Sequence, residues 1–498
     1  MRRGAFVKGL VAAGWVAAGL GLGQAGAAAA SPSDSPHVGL VAETSSEGTT
    51  FGGLATFTGP ITVGHVIEPE TGNPNGMAAH GYEEQEFFAA GTAHALHATS
   101  SPSDGKWTVA PTTAASYETR ILVRRPSNPA HFSGTVVVEW MNVSAGESAP
   151  DWDYLNPDLM DSGDAYVGVS AQALGVEGGP PLLGSSILGA TKGLVQQEPQ
   201  RYGNLHHPGD EYALDIFNQI GLGLRSSKPN VLGPLRPRHI VAVGESQSAF
   251  YLTTFADALQ PTTHAFDGIF IHSRGGGGAP LGGGSITSSF APTGLRIRTD
   301  LKVPVMMFET QTDLIELGYT SAQQPNTDEV RTWEVAGTSH ADNYLLGPAS
   351  NILGCSTAVN SGPQHVVAQA AFTSFVNWVV HGTAPPSPSP FRLQSTRPAA
   401  LALDAHGNVI GGVRTPAVDV PVSTLSGESP PGATVICSLF GSTVPFTPQT
   451  LVSIYGTKAH YLSEYKTDLD RAIAGGYLLP AERSALLSQA QQVQFPSS

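Results

Sequence analysis

His239-Ile240-Val241-Ala242-Val243-Gly244-Glu245-Ser246-Gln247-Ser248 is the stretch that decides the fold. His239–Val243, with four apolar residues behind His239, reads as a buried strand. Gly244 then turns the chain, and Gln247–Leu259 reads as a helix that stops at Pro261. A serine between a buried strand and a helix sits on a tight turn, exposed at the carboxyl end of a sheet. Small residues two before and two after it, Gly244 and Ser248, let strand and helix pass closely. The commoner residue at the last position is glycine, so the pattern is degenerate. Gly337-Thr338-Ser339-His340-Ala341 matches it as well. Asp342–Gly347 after that second match is a poor helix, so context selects Ser246 as nucleophile.

Outward from this turn, short apolar runs alternate with helical stretches. Ile121–Val123, Thr135–Glu139, Ala165–Val169, Gly268–Ile271, Val303–Phe308 and Thr332–Val335 read as further buried strands. Tyr212, Ile216, Ile220 and Leu224 repeat at helical spacing behind Asp210, a candidate N-cap. Ala368, Phe372, Phe375 and Val379 form another stripe, closed by Gly382. Such alternation implies right-handed βαβ crossovers and an α/β fold with a mostly parallel sheet and helices on both faces. Four parts follow: 1–30, a signal peptide; 31–115, a loop and strand region with β-like runs such as Ile61–Val66; 116–384, the α/β core; and 385–498, a C-terminal extension packed on that core. In the extension, two helical pieces flank Gly475-Gly476, and Pro480 starts the second.

A serine hydroxyl needs a base, and a base needs an orienting carboxylate. His340 ends the loop after the strand Thr332–Val335, where a general base can be held at the sheet's carboxyl edge. Asp313 lies a turn beyond the strand Val303–Phe308, and Glu309, right at the strand end, is its rival. The order Ser246, Asp313, His340 along the chain is that of α/β-hydrolases. The oxyanion should meet the N–H of Gln247 and one from Asn142 or Val143, in the loop after Thr135–Glu139. Trp140, Trp152 and Tyr154 are candidates to line a substrate pocket, with core packing as the alternative. Arg274 could meet a substrate carboxylate or serve in a structural ion pair. Gly275–Gly284, seven glycines in ten residues, lacks the Gly-Lys-Ser/Thr of a phosphate loop.

Further motifs carry a family resemblance. Thr135-Val136-Val137-Val138-Glu139-Trp140-Met141-Asn142-Val143, Gly-x-Ser-Gln-Ser at 244–248, Trp333–Asp342 and Gly412-Val413-Arg414-Thr415-Pro416 resemble the bacterial, often exported "alpha/beta hydrolase domain" proteins. Tyr117–Pro126 and the C-terminal extension share in it, so it spans nearly the whole mature chain. The resemblance implies an α/β-hydrolase fold and a serine hydrolase site, and little about substrate.

Composition bounds the partners. The chain has 498 residues, 25 Lys+Arg against 40 Asp+Glu and a formal charge of −15. That balance argues against nucleic acid or an anionic membrane as partner, since both call for basic patches. A small-molecule or polymer ester is the expected substrate, without cofactor. No HExxH or CxxC pattern suggests a metal; His206-His207 and the His94/His97 pair are the closest-spaced histidines. Arg2, Arg3 and Lys8, an apolar stretch from Leu10 to Leu22 and the small residues to Ala30 read as an export signal cleaved near Ala30. Cleavage removes those three basic residues and no acid, leaving a chain three charges lower, at −18. The expected location is secreted, periplasmic or cell-envelope, with no stable membrane span. Cys355 and Cys437, the only cysteines, are expected to pair there.

Overall fold

The computed structural model describes residues 51, 53–72, 76–180, 190–226, 230–283, 294–351, 353–430 and 432–496. The expected signal at 1–30 lies outside them, as does the end of the glycine stretch at 284. Nine strands form one sheet in the order β1-β2-β3-β5-β4-β6-β7-β8-β9. They are β1 Thr56–Thr58, β2 Tyr82–Ser100, β3 Thr108–Pro126, β4 Thr135–Trp140, β5 Ala165–Val169, β6 His239–Glu245, β7 Gly268–His272, β8 Val305–Glu309 and β9 Val330–Glu334. From β5 through β9 every neighbouring pair is parallel; β1, β2 and β3 join antiparallel.

Side chains alternate across a strand, so each central strand feeds two cores. On one face Val136, Val138, Ile240, Ala242, Ile269 and Ile271 pack with helices α2 (Ala213–Arg225) and α3 (Gln247–Ala258). On the other, Val137, Val241, Val243, Phe270, Met306 and Phe308 pack with α1 (Pro150–Ser162) and α5 (Gln364–His381). A near-continuous apolar run is what a strand covered on both faces requires.

Several local expectations change. The division at 115/116 falls inside β3, because β2 and β3 form one long hairpin paired from Tyr82↔Pro126 to Ser100↔Thr108. Its outer half, rich in Thr and Ala with His94, His97 and Pro111 interspersed, has no continuous apolar run to mark it as a strand. Ile61–Val66 is not a strand. Asp210 does not cap α2; its carboxylate accepts from the Ala173 N–H and the Gln172 amide instead. Pro261 opens a short helix, Gln260–Thr263, in the first turn, where its missing N–H costs nothing.

The C-terminal part holds a strand pair, β10 (Ser423–Ser426) with β11 (Ser442–Pro445), and helices α6 (Pro448–Tyr455), α7 (Lys458–Ala474) and α8 (Arg483–Gln491). Leu469 and Ala472 of α7 bury against the α1/α5 face of the sheet. Cys355 and Cys437 are disulfide-bonded across 82 residues. On the chain-entropy account such a loop contributes about 4 kcal/mol. The Cys355→Ser/Cys437→Ser variant should therefore unfold at distinctly lower urea than the parent, and reductant should shift only the parent. A parent insensitive to reductant would remove the bridge from the stability account.

Candidate active site

Between Ile240 and Gln260 every residue is buried except Ser246, which is partly exposed. Its backbone holds φ 59°, ψ −118°, a left-handed conformation rare for a residue with a side chain. The turn is fixed from both sides. The Ser246 N–H donates to the His272 carbonyl at 2.9 Å, and Phe250 N–H donates back to the Ser246 carbonyl. A Cβ on Gly244 would lie 2.9 Å from the Ser248 Cβ and 3.0 Å from Leu252, so strand and helix pass as closely as a glycine allows. Sequence and packing together thus lift one hydroxyl above the carboxyl end of the sheet.

The three singled-out side chains lie on one hydrogen-bonded line. Ser246 Oγ is 2.6 Å from His340 Nε2. His340 Nδ1 is 2.6 Å from Asp313 Oδ1. Asp313 Oδ2 accepts from the backbone N–H and the hydroxyl of Thr310, both at 2.7 Å. This is a capping box at the start of α4 (Gln311–Ile315). With the acid's far oxygen fully engaged, its near oxygen faces the imidazole, Nδ1 carries the hydrogen, and Nε2 is left to accept from the serine. Glu309 does not share this line. It is buried at the end of β8, where desolvation and the nearby Asp313 push its carboxyl up while Arg274 draws it down.

The histidine loop is braced from outside the core. The His340 N–H donates to Thr312 Oγ1 at 3.1 Å, and that hydroxyl donates to the Gly427 carbonyl at 2.6 Å. Ala336 N–H donates to the Val413 carbonyl, and Ala341 N–H to that of Leu439. Gly427 has no room for a Cβ, which would fall 2.6 Å from the Thr338 carbonyl oxygen. The C-terminal extension is thus part of the site's frame. In these bonds the extension offers only main-chain carbonyls, which leave no side-chain pattern to read.

The oxyanion loop is not free in the way expected. Asn142 N–H donates to the Ser148 carbonyl, and Ser144 N–H to Asn142 Oδ1. Val143 N–H donates to Gln247 Oε1 at 3.0 Å. Of the two candidates, Asn142 is spent on a local bridge, whereas Val143 is held by a side chain from the elbow itself. The Gln247 N–H is at the first position of α3, where a helix has no internal acceptor for it.

The aromatic candidates are core residues. Trp140 stacks on Tyr251 at 4.7 Å and donates to Gln172 Oε1. Trp152 lies under the Arg124 guanidinium, 4.4 Å from ring centre to Cζ. Tyr154 donates to Asp342 Oδ1 at 3.1 Å. None is more than 1% exposed. Arg274 is fully buried and donates to the carbonyls of Gly275 and Leu295, which assigns it to holding the chain.

Sequence reasoning missed Glu245. The residue is 4% exposed, and its Oε1 lies 3.7 Å from His340 Nε2. Burial pushes that carboxyl well up, and Asp151, Asp313 and Glu139 add to the effect. Also missed was the fully buried pair His272 Nδ1 and Asp151 Oδ1, 2.8 Å apart. Among the described residues no group of three or more His, Cys, Asp or Glu is arranged to hold a metal ion. No described helix is long and apolar enough to cross a membrane.

Solved structures similar to the chain include a serine hydrolase without a lid from Xanthomonas campestris, at 11% identity over 48% of this chain and 85% of that one, TM-score 0.28. A Rhizomucor miehei esterase matches at 10% identity over 58% and 83%, TM-score 0.28. A thermostable Pseudomonas putida esterase matches at 11% over 55% and 78%, TM-score 0.28. Among curated proteins none matches. The family described as "Alpha/beta hydrolase domain" matches residues 57–488. With the sheet order, the elbow and that match over most of its length, this chain belongs to the alpha/beta hydrolase domain family.

Proposed function

We propose that this hydrolase is an exported serine carboxylic-ester hydrolase working through an acyl-enzyme on Ser246. The observation that carries the reading is the unbroken line Ser246 Oγ, His340 Nε2, His340 Nδ1, Asp313 Oδ1 at the carboxyl end of β6, β8 and β9. Ser246 Oγ attacks the ester carbonyl as His340 takes its proton. Asp313 holds the imidazole tautomer and stabilises the imidazolium. The alcohol leaves with that proton, and water then clears the acyl group.

The Gln247 N–H is one oxyanion donor. The Val143 N–H is the second, exchanging the neutral amide oxygen of Gln247 for the charged oxygen of the tetrahedral intermediate. Bonds to an ionised acceptor are roughly twice as strong as neutral ones, which favours the exchange. Export is supported by the basic, apolar and small-residue run before Ala30 and by the disulfide, which suits an oxidising compartment. A fluorophosphonate probe should modify Ser246 alone, and the labelled protein should lose hydrolysis of short p-nitrophenyl esters in proportion. Labelling elsewhere, or activity that survives full labelling, would remove Ser246 from the chemistry.

A further inference from the structure

Nε2 of His340 has two neighbours, and the reaction outlined above uses one. Ser246 Oγ approaches it at 2.6 Å, and Glu245 Oε1 stands at 3.7 Å. The second distance is too long for a direct hydrogen bond, and a water placed beside both atoms can reach each of them. The Glu245 side chain is fixed at the last residue of β6. Asn142 Nδ2 donates to the Glu245 carbonyl at 3.1 Å and lies 3.5 Å from its Oε2. The carboxyl therefore bridges the oxyanion loop and the base, beside the reacting hydroxyl.

We propose that Glu245 and His340 Nε2 together hold the water that hydrolyses the acyl-enzyme, so that Glu245 is a water-positioning residue that favours hydrolysis over transfer to alcohols. This rests on the acyl-enzyme reading given above. Once Ser246 Oγ is esterified it has no proton to give, and Nε2 needs a new donor. Water supplies one hydrogen to Nε2 and has a second for Glu245 Oε1. An alcohol gives its one hydrogen to Nε2 and presents carbon where the second would be. In the step itself the water oxygen bonds to the acyl carbon and its proton passes to Nε2. The tetrahedral intermediate collapses, the bond from carbon to Ser246 Oγ breaks, and Nε2 returns the proton to Oγ. A carboxylic acid and the free serine result. Burial, with Asp151, Asp313 and Glu139 nearby, pushes the Glu245 carboxyl toward its neutral form. A charged one beside Nε2 would hold the imidazolium proton back from the leaving oxygen.

The test separates the two half-reactions. Parent, Glu245→Gln and Glu245→Leu are mixed with p-nitrophenyl acetate. The pre-steady-state burst of p-nitrophenol reads acylation, and the decay of acylated Ser246 by intact mass reads deacylation, each with and without methanol. Glu245→Leu should slow deacylation roughly 10- to 100-fold while acylation stays within about threefold. It should also raise the share of acyl group recovered as methyl acetate. Glu245→Gln keeps a neutral oxygen at the position and should keep most of the parent's deacylation rate and partition. Glu245→Ala gives the same readout as leucine should leucine not fold. Equal slowing of both steps, no slowing, or an unchanged methanol share would overturn the proposal while leaving the acyl-enzyme in place. A parent in which Ser246 never acylates overturns both.

Discussion

Ser246→Ala is expected to lower kcat for short esters by about a million-fold, with the melting temperature close to the parent's. The side chain is small and partly exposed, and the backbone turn is held by the His272 and Phe250 bonds, which do not involve Oγ. Alanine meets the same left-handed φ as serine, so no new strain enters. What disappears is the atom 2.6 Å from His340 Nε2. Any residual rate should come from the oxyanion donors and binding alone. Turnover within a hundredfold of the parent, on a folded variant, would require another nucleophile. Ser339 is the one the sequence offers, and its hydroxyl is buried and donates to the Ala341 carbonyl.

Asp313→Asn should cost about 10⁴-fold in kcat, against a change of a few-fold for Glu309→Gln. The reason is local. Thr310 presents two donors to one end of the acid, so an asparagine there must turn its carbonyl oxygen to Thr310 and its NH2 to His340. Nδ1 then has to accept, the ring hydrogen moves to Nε2, and the serine loses its base. Glu309 is pushed toward its neutral form by burial, and a neutral amide of the same shape replaces it with little change. Kinetics of the two variants on one ester, with unfolding curves as controls, decide between the acids. A larger loss from Glu309→Gln would reverse the assignment.

Much of the fold was legible because buried parallel strands leave an unambiguous mark. Val136-Val137-Val138 and Ile240-Val241-Ala242-Val243 can be little else in a chain that also places helices between such runs. The elbow was legible because only small residues fit around it. The positions of His340 and Asp313 were legible from strand ends, although the capping box that orients Asp313 was not noticed. The outer arms of β2 and β3 escaped because their stability comes from pairing with each other, which Thr and Ala do not advertise. The aromatic side chains stayed open between pocket and core in the sequence. The size of Trp140, Trp152 and Tyr154 makes them the natural fillers between sheet and helices. Glu245 was hidden in plain view, since nothing in a sequence tells a solvated acid from one held beneath a histidine.

The bracing of the His340 loop has a consequence for the order in which the protein is made. Ser246, Asp313 and His340 leave the ribosome well before Val413, Gly427 and Leu439, whose carbonyls fix the loops that bring the three together. A chain arrested between His340 and Val413 carries all three side chains without the frame that aligns them. Synthesis from the N-terminus thus withholds that alignment until the chain through Leu439 has been added and folded back. Hydrolysis begins as a property of the finished molecule, not of its growing intermediates.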